Sequence, residues 1–565
     1  MVKKWWHNTI GYQIYPKSFQ DTNGDGIGDL KGITAHLDDL ADLGINVIWL
    51  CPINRSPMKD HGYDISDYEE IDPMFGCKDD LRELIQEAGQ RGIKILMDLV
   101  VNHTSTEHPW FQKALQDVDG EYGRYYIIQE GKDGKEPNNW RSIFGGSAWE
   151  PIKDTNLYYL HLFTKWQPDL NWENPVLRQN IYDMVNKWLD LGIRGFRIDA
   201  ISHLKKDFSY RNLPADDIDG YVNGFPYFSN VDGIGDFLTE LRENTFQRCD
   251  AMTIGEVDEG LPSNILPDFI GENGYFSTIF DFCHAKFHVN SAEWKEKPVE
   301  MIDALKKCLF AKQNTIKGKG LLCNYLENHD LSRAVERFIP TEEIDFYSKS
   351  MVSGINFFMP GIVFLYQGQA IGMMDYPKEN LEAFVDPTTF IQYDEYLQKG
   401  MTGTEALAQI NLETREHART PMQWNAGPYA GFSKAEPWFA VNPNYREINY
   451  DAQKNTPDSL YAFYKKMIAL RRSAEYQELF IYGEFNPVYE TEPGIIGYER
   501  RLNDQKVLII NNAKSTEAVL PMSGMVKKIL LSNYENTILQ NNSIKLQRFQ
   551  LLILEPISSN LDKNN

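Results

Sequence analysis

The chain has 565 residues, of which 42% are hydrophobic, 24% charged and 13% aromatic, and its formal net charge at pH 7 is −23. That length exceeds what one compact core supports, so two or three domains are expected. The acidic balance argues against nucleic acid or an anionic membrane as a partner. Gly354 to Tyr366, the most apolar long stretch, is broken by Pro360 and Gly361 and is too short to span a bilayer. The opening MVKKWWHNT lacks the apolar stretch of a secretion signal. Six cysteines (Cys51, Cys77, Cys249, Cys283, Cys308, Cys323) are scattered without C-x-x-C spacing. They indicate neither a disulfide framework nor a zinc site and predict a cytoplasmic location.

In chain order, apolar strand-like runs alternate with helix-period segments. The strands are predicted at Gly11–Tyr15, Asn46–Leu50, Ile93–Asp98, Gly195–Asp199, Met252–Glu256, Ser277–Phe282, Leu321–Leu326 and Gly361–Tyr366. Helices are predicted at Ile33–Leu43 and Lys78–Arg91. Strand and helix in alternation make a parallel sheet with crossovers, and eight such strands close a (β/α)₈ barrel. Each unit of such a barrel takes roughly 30 residues, and the stretch from Asp98 to Asp199 is about three times that. The third loop therefore holds an insert, placed at 104–170, between a first barrel part at 1–103 and a second at 171–479. From 480 to 565 the texture becomes short alternating strands with polar turns, as in IIGYE (Ile495 to Glu499) and KVLII (Lys506 to Ile510). This predicts a C-terminal antiparallel β-sandwich.

Three of the strands run into carboxylates: GFRIDA (Gly195 to Ala200), TIGEV (Thr253 to Val257) and LENHD (Leu326 to Asp330). The carboxyl ends of barrel strands are where such folds keep their chemistry, and a pair of acids is what glycosidic bond cleavage requires. Residues two apart on a strand share a face, so Arg197 neighbours Asp199 and should hold it ionised, as a nucleophile needs. Glu256 has the apolar Ile254 in the equivalent place and no paired cation, which should raise its pKa, as a proton donor needs. Asp330 follows His329 and Asn328, and Asp98 with His103 forms a similar pair in DLVVNH (Asp98 to His103).

DLVVNH, GFRIDA, GEV (Gly255 to Val257) and ENHD (Glu327 to Asp330) occur in this order in a way that resembles the α-amylase superfamily, glycoside hydrolase family 13. HGYDISDY (His61 to Tyr68), QPDLN (Gln167 to Asn171) and REHARTPMQW (Arg415 to Trp424) look like the oligo-1,6-glucosidase and α-glucosidase subgroup, and the resemblance covers nearly the whole chain. It implies Asp199 as nucleophile, Glu256 as general acid/base and Asp330 as transition-state stabiliser. It also implies sugar contacts from His103, His329 and Arg197, with Asp60, Tyr63 and Arg415 closing the subsite around the non-reducing glucose. Phe144, Phe163, Gln167 and Ala200 complete the implied substrate-binding set. An Asp–Arg pair across a pocket blocks a longer chain, so exo action is expected.

DTNGDGIGD (Asp21 to Asp29) places oxygen side chains around glycines as an EF-hand loop does, although Gly32 stands where the bidentate Glu would be. Together with the resemblance, this predicts a structural Ca²⁺ held by Asp21, Asn23, Asp25, Asp29 and the Ile27 carbonyl, and no organic cofactor. Ala200, just after the nucleophile, borders the leaving-group site. In similar enzymes Val here accompanies α-1,6 preference and Ala or Thr accompanies α-1,4. The expectation is therefore a retaining exo-α-glucosidase on short maltose-like oligosaccharides, sucrose included, acting as a monomer or weak homo-oligomer. The alternatives are an oligo-1,6-glucosidase, a sucrose isomerase or transglucosylase, and a non-catalytic homologue.

Overall fold

The computed structural model describes residues 2–257, 261–522, 525–540 and 542–557. Its centre is built from eight strands: β1 (Ile10–Ile14), β2 (Val47–Leu50), β3 (Lys94–Leu99), β4 (Gly195–Ile198), β5 (Met252–Val257), β6 (Thr278–Asp281), β7 (Cys323–Asn324) and β8 (Ile362–Tyr366). Their order is β6-β5-β4-β3-β2-β1-β8-β7, and every pairing is parallel. Each strand therefore lies beside its neighbours in sequence, the topology of a (β/α)₈ barrel. Side chains bridge the β6–β7 seam: Thr278 Oγ1 donates to the Leu321 carbonyl at 2.8 Å and the Tyr325 hydroxyl to that of Asp281 at 3.2 Å.

All eight expected strands are present, but β7 has two residues where six are expected. Asn324 turns its side-chain amide onto the Met359 and Pro360 carbonyls, at 3.2 and 3.1 Å. The expected helix at 33–43 is broken into Leu30–Ala35 and Leu37–Leu43 at His36, whose ring stacks on Trp424 with centroids 3.5 Å apart.

The alternation of the strands divides the core in two. Val47, Trp49, Leu96, Ile254, Phe280 and Phe364 point inward and fill the barrel. Ile48, Leu50, Ile95 and Met97 point outward and pack against the surrounding helices, for example Leu81, Leu84 and Ala88 of Lys78–Gln90. At Gly11 a Cβ would lie 2.4 Å from the Phe364 ring, so the glycine makes room for that ring inside the barrel.

After β3 the chain leaves the barrel and forms a three-stranded antiparallel sheet in which Leu157–Leu160 lies between Ile128–Glu130 and Trp149–Pro151. Trp140–Arg141 pairs with Val222–Asn223 from the loop after β4. Trp140, Trp149, Leu160, Val222 and Phe228 share one small core, so excursions from two barrel loops are built together. At the C-terminal end a five-stranded antiparallel sheet faces a three-stranded one. Between them lies a core of Ile495, Leu508, Ile510, Leu552 and Leu554 with Leu520, Ile544 and Leu546. This is the expected antiparallel sandwich.

Cys283 and Cys308 come together as a pair, with Cα atoms 6.4 Å apart. The absence of C-x-x-C spacing gave no sign of it, because the two residues meet only when the helix Pro298–Ile316 packs beside β6. Among the described residues no helix is long and apolar enough to cross a membrane.

Candidate active site

The strand register sets the acids against one cation. Arg197 on β4 lies opposite Asp98 on β3 and Ile254 on β5. Its guanidinium is 1% exposed and donates from Nη1 to Asp98 at 2.9 Å and to Asp199 at 2.7 Å, and from Nη2 to Glu256. Glu256 also accepts the backbone N–H of Ala200 at 3.1 Å. Ala200 turns the chain sharply after β4 in a left-handed conformation, with φ at 47°.

Two electrostatic expectations fail here. Glu256 is not free of a cation, because the planar fork of Arg197 reaches across from β4 to β5. Arg197 also does not depress Asp199 below the ordinary range: burial outweighs its attraction and pushes the carboxyl up to about 6. Burial pushes Glu256 further, to about 8, with the charges of Asp199 and Asp330 adding to the effect against the pull of Arg197. The order that separates proton donor from nucleophile survives, but its cause is desolvation and mutual repulsion.

Asp330 goes the other way. Burial would raise it, but His329, Arg419, Arg415 and Arg197 together hold it far below the usual carboxylate range. Arg419 Nη2 donates to Asp330 at 2.9 Å, and Arg415 Nη1 approaches the same oxygen at 3.5 Å. Arg415 Nη2 also donates to Asp60 at 2.7 Å, and Gln167 Nε2 donates to the other Asp60 oxygen at 2.9 Å. His103 touches Gln167 at 3.1 Å and the Tyr63 carbonyl at 3.0 Å. The Tyr63 hydroxyl lies 2.6 Å from His329 Nε2 and 3.0 Å from Asp98. Phe144 and Phe163 stand edge to face, and the Arg415 guanidinium lies 5.3 Å over the Phe144 ring.

These groups surround a cavity of about 960 Å³ at the carboxyl end of the barrel. Every catalytic and substrate-binding residue expected from the sequence lines it, except Arg197 and His329. Those two are each 1% exposed and stand behind the lining, where they orient the residues that face the cavity. The motifs did not single out two other residues, Asp386 and Arg419. Asp386 is fully buried, caps the helix Pro387–Gln398 and takes hydrogen bonds from both Arg415 and Arg419. Arg419 lies in REHARTPMQW, four residues after Arg415, whereas Asp386 reads from sequence only as an Asp-Pro helix start.

The loop 21–29 lies apart from the residues that line this cavity. Asp21 accepts the N–H groups of Gly24 at 2.7 Å and Gly26 at 2.9 Å, and the Ser433 hydroxyl at 2.6 Å. Asp25 accepts from Ile27 N–H at 2.8 Å, and Asp29 caps Leu30–Ala35 through Gly32 N–H at 2.7 Å. Among the described residues no three His, Cys, Asp or Glu side chains gather as metal ligands. A cation here would therefore draw on the remaining carboxylate lone pairs together with the Asn23 amide and backbone oxygens.

A parallel eight-stranded barrel whose carboxyl end gathers two acids of unequal basicity and a third ionised carboxylate is a glycoside hydrolase scaffold. The family model "Alpha amylase, catalytic domain" matches residues 13–479. The chain is 43% identical over 541 residues to the probable oligo-1,6-glucosidase 3 of Bacillus subtilis (strain 168), covering 95% of this chain and 96% of the relative. It is 40% identical to the oligo-1,6-glucosidase of Parageobacillus thermoglucosidasius, with the same coverage. The crystal structure of isomaltulose synthase from Klebsiella sp. LX3 superposes with a TM-score of 0.90 at 32% identity, covering 98% of this chain and 100% of that one. The chain belongs to the α-amylase family of glycoside hydrolases.

Proposed function

We propose that this protein is a retaining, exo-acting α-glucosidase that releases glucose from the non-reducing end of short α-1,6-linked oligosaccharides. The observation that carries the reaction is the Asp199–Arg197–Glu256 unit: two carboxyls bridged by one guanidinium, with Glu256 the more basic. Two carboxyls that close suit a covalent intermediate, because an inverting enzyme keeps roughly 6.5–9.5 Å between them to admit a water molecule. Glu256 gives its proton to the glycosidic oxygen as an Asp199 oxygen attacks C1, forming glucosyl-Asp199. The deprotonated Glu256 then takes a proton from the water that hydrolyses the ester. Asp330, kept ionised by its arginines, stabilises the positive charge that develops on the sugar ring. The Asp60–Arg415 pair, at 2.7 Å, walls off the far side of the cavity and favours release of single residues from the chain end.

The expectation of α-1,4 preference drawn from Ala200 finds no support among the relatives, two of which are named for α-1,6 bonds. One methyl group more or less changes specificity by only about 1–3 kcal/mol, so the rest of the leaving-group wall can override it. Isomerisation of sucrose is the second reading, favoured by the likeness to isomaltulose synthase. The test is kcat/KM on isomaltose, maltose, sucrose and an aryl α-glucoside. Isomaltose should exceed maltose, and the reverse overturns the linkage. Isomaltulose or trehalulose accumulating from sucrose ahead of glucose and fructose overturns hydrolysis.

We also propose a structural Ca²⁺ in loop 21–29, which a drop in melting temperature on adding EGTA, reversed by CaCl₂, would support and an unchanged melt would sink. A cytoplasmic location and a monomeric or weakly associating state complete the proposal; in a reducing compartment Cys283 and Cys308 would stand as thiols.

A further inference from the structure

Arg419 is buried beside the half-buried Arg415, and each raises the cost of charging the other. Yet both point at the acids that line the cavity. Arg415 spends Nη2 on Asp60 and directs Nη1 at Asp330, and Arg419 spends Nη2 on Asp330. A substrate that enters with several hydroxyls competes for the oxygens of Asp60 and Asp330. If those carboxylates alone held the arginines, each sugar that bound would loosen them.

A third carboxylate, Asp386, is fully buried outside the cavity lining and grips both arginines. Asp386 Oδ2 accepts Arg415 Nε, and also Arg419 Nη1 at 3.2 Å, while Oδ1 accepts Arg415 Nη2 at 3.1 Å. Asp386 is in turn fixed by its own element. Oδ1 takes the Thr388 N–H at 3.0 Å and the Thr388 hydroxyl at 2.8 Å, capping the helix Pro387–Gln398. The backbone N–H groups of Val385 and Asp386 both donate to Glu416 at 2.6 Å. The carboxylate is thus immobilised from below, with its charge directed at two guanidiniums. Thr388 and Thr389, on the first turn of the same helix, line the cavity.

We infer that Asp386 is a positioning residue for the glucose subsite: it locks the forks of Arg415 and Arg419 so that Asp60 and Asp330 keep their orientation when sugar hydroxyls arrive. The inference rests on the α-glucosidase reading. It assigns Asp386 no contact with the reacting atoms, so its effect falls on sugar binding more than on bond cleavage.

The test is Asp386→Asn, which keeps the side-chain shape and an oxygen for the Thr388 cap but loses the charge and one acceptor. KM for an aryl α-glucoside and the inhibition constant of glucose should rise together, by roughly ten- to a hundredfold, while kcat, which feels the change only through Asp330, falls by a smaller factor. Unchanged KM and glucose inhibition in a folded variant, or a loss confined to kcat, would overturn the inference. If Asp386→Asn does not fold, Asp386→Glu keeps the charge but displaces it by one methylene, and it should also raise both constants; wild-type values would overturn the inference. A wild-type protein that does not turn over the glucoside is a failure of the glucosidase reading, and the inference is then judged on glucose affinity measured by calorimetry, with the same variants and the same two outcomes.

Discussion

Buried or half-buried arginines stand both at the mouth of the barrel and at its junction with the C-terminal sandwich, and they are held in opposite ways. At the carboxyl end of the barrel Arg197 and Arg415 face carboxylates, whose attraction more than offsets burial and holds both cations firmly charged. Where the barrel meets the C-terminal sandwich, Arg500 donates to the carbonyls of Phe358 at 2.6 Å, Phe480 at 2.8 Å and Gly483 at 2.9 Å. Arg471 grips the carbonyls of Phe357 and Gly361 in the same junction. Burial pulls Arg500 down to about 9 and Arg471 to about 10. Carbonyl oxygens cannot titrate and do not repel one another as carboxylates do. The junction therefore gains fixed cross-links between loops, whereas the catalytic end gains a set of acids whose protonation can be tuned.

Removing an acid from the catalytic end should cost activity and little stability, since it relieves repulsion among Asp98, Asp199 and Glu256. Asp199→Asn should lower kcat/KM on an aryl α-glucoside by about 10⁴-fold or more with an unchanged or higher melting temperature. Retained turnover would break the assignment of the nucleophile. Titration should reveal the same tuning. Asp199 must be ionised, so activity falls as pH drops below about 6. Glu256 must be protonated, so activity falls as pH rises through about 8. A bell-shaped kcat/KM profile between those limits is expected, and a flat profile through pH 5 would refute the raised Asp199.

At the junction the reverse should hold. Arg500→Met strands several carbonyls and should cost about 2–4 kcal/mol, read as a lower melting temperature with wild-type kcat/KM at 25 °C. A fall in kcat/KM there would show that the two regions are coupled. The smallest effect concerns Ala200. Ala200→Val should shift the isomaltose-to-maltose ratio of kcat/KM upward by roughly tenfold, and an unchanged ratio would remove position 200 from the linkage argument.

The eight strands and the acids at their ends were legible because strand alternation and terminal carboxylates are local patterns. What escaped was everything set across strands. Ile254, two residues from Glu256, correctly marks an apolar neighbour, but register brings Arg197 of the next strand to Glu256 all the same. The sign of the Asp199 shift depends on how deeply the barrel mouth buries it, and no pair spacing encodes that depth. Asp386 and Arg419 act over a tertiary contact between distant parts of the segment that follows β8, and the Cys283–Cys308 pair likewise needs a helix packed against the barrel. Every side chain expected to contact sugar was placed at the cavity or directly behind it, since the motifs around them are long enough to fix position.

The left-handed turn at Ala200 has a consequence for how this enzyme could change its substrate. That backbone conformation costs an ordinary L-residue about 1–2 kcal/mol, and most for β-branched side chains, whose rotamers are already few. Drift at position 200 is therefore filtered twice, by the main chain first and by the leaving sugar second. Changes to Gly or Asn are conformationally cheap, whereas Val or Thr survives only where selection for a particular linkage exceeds the conformational cost.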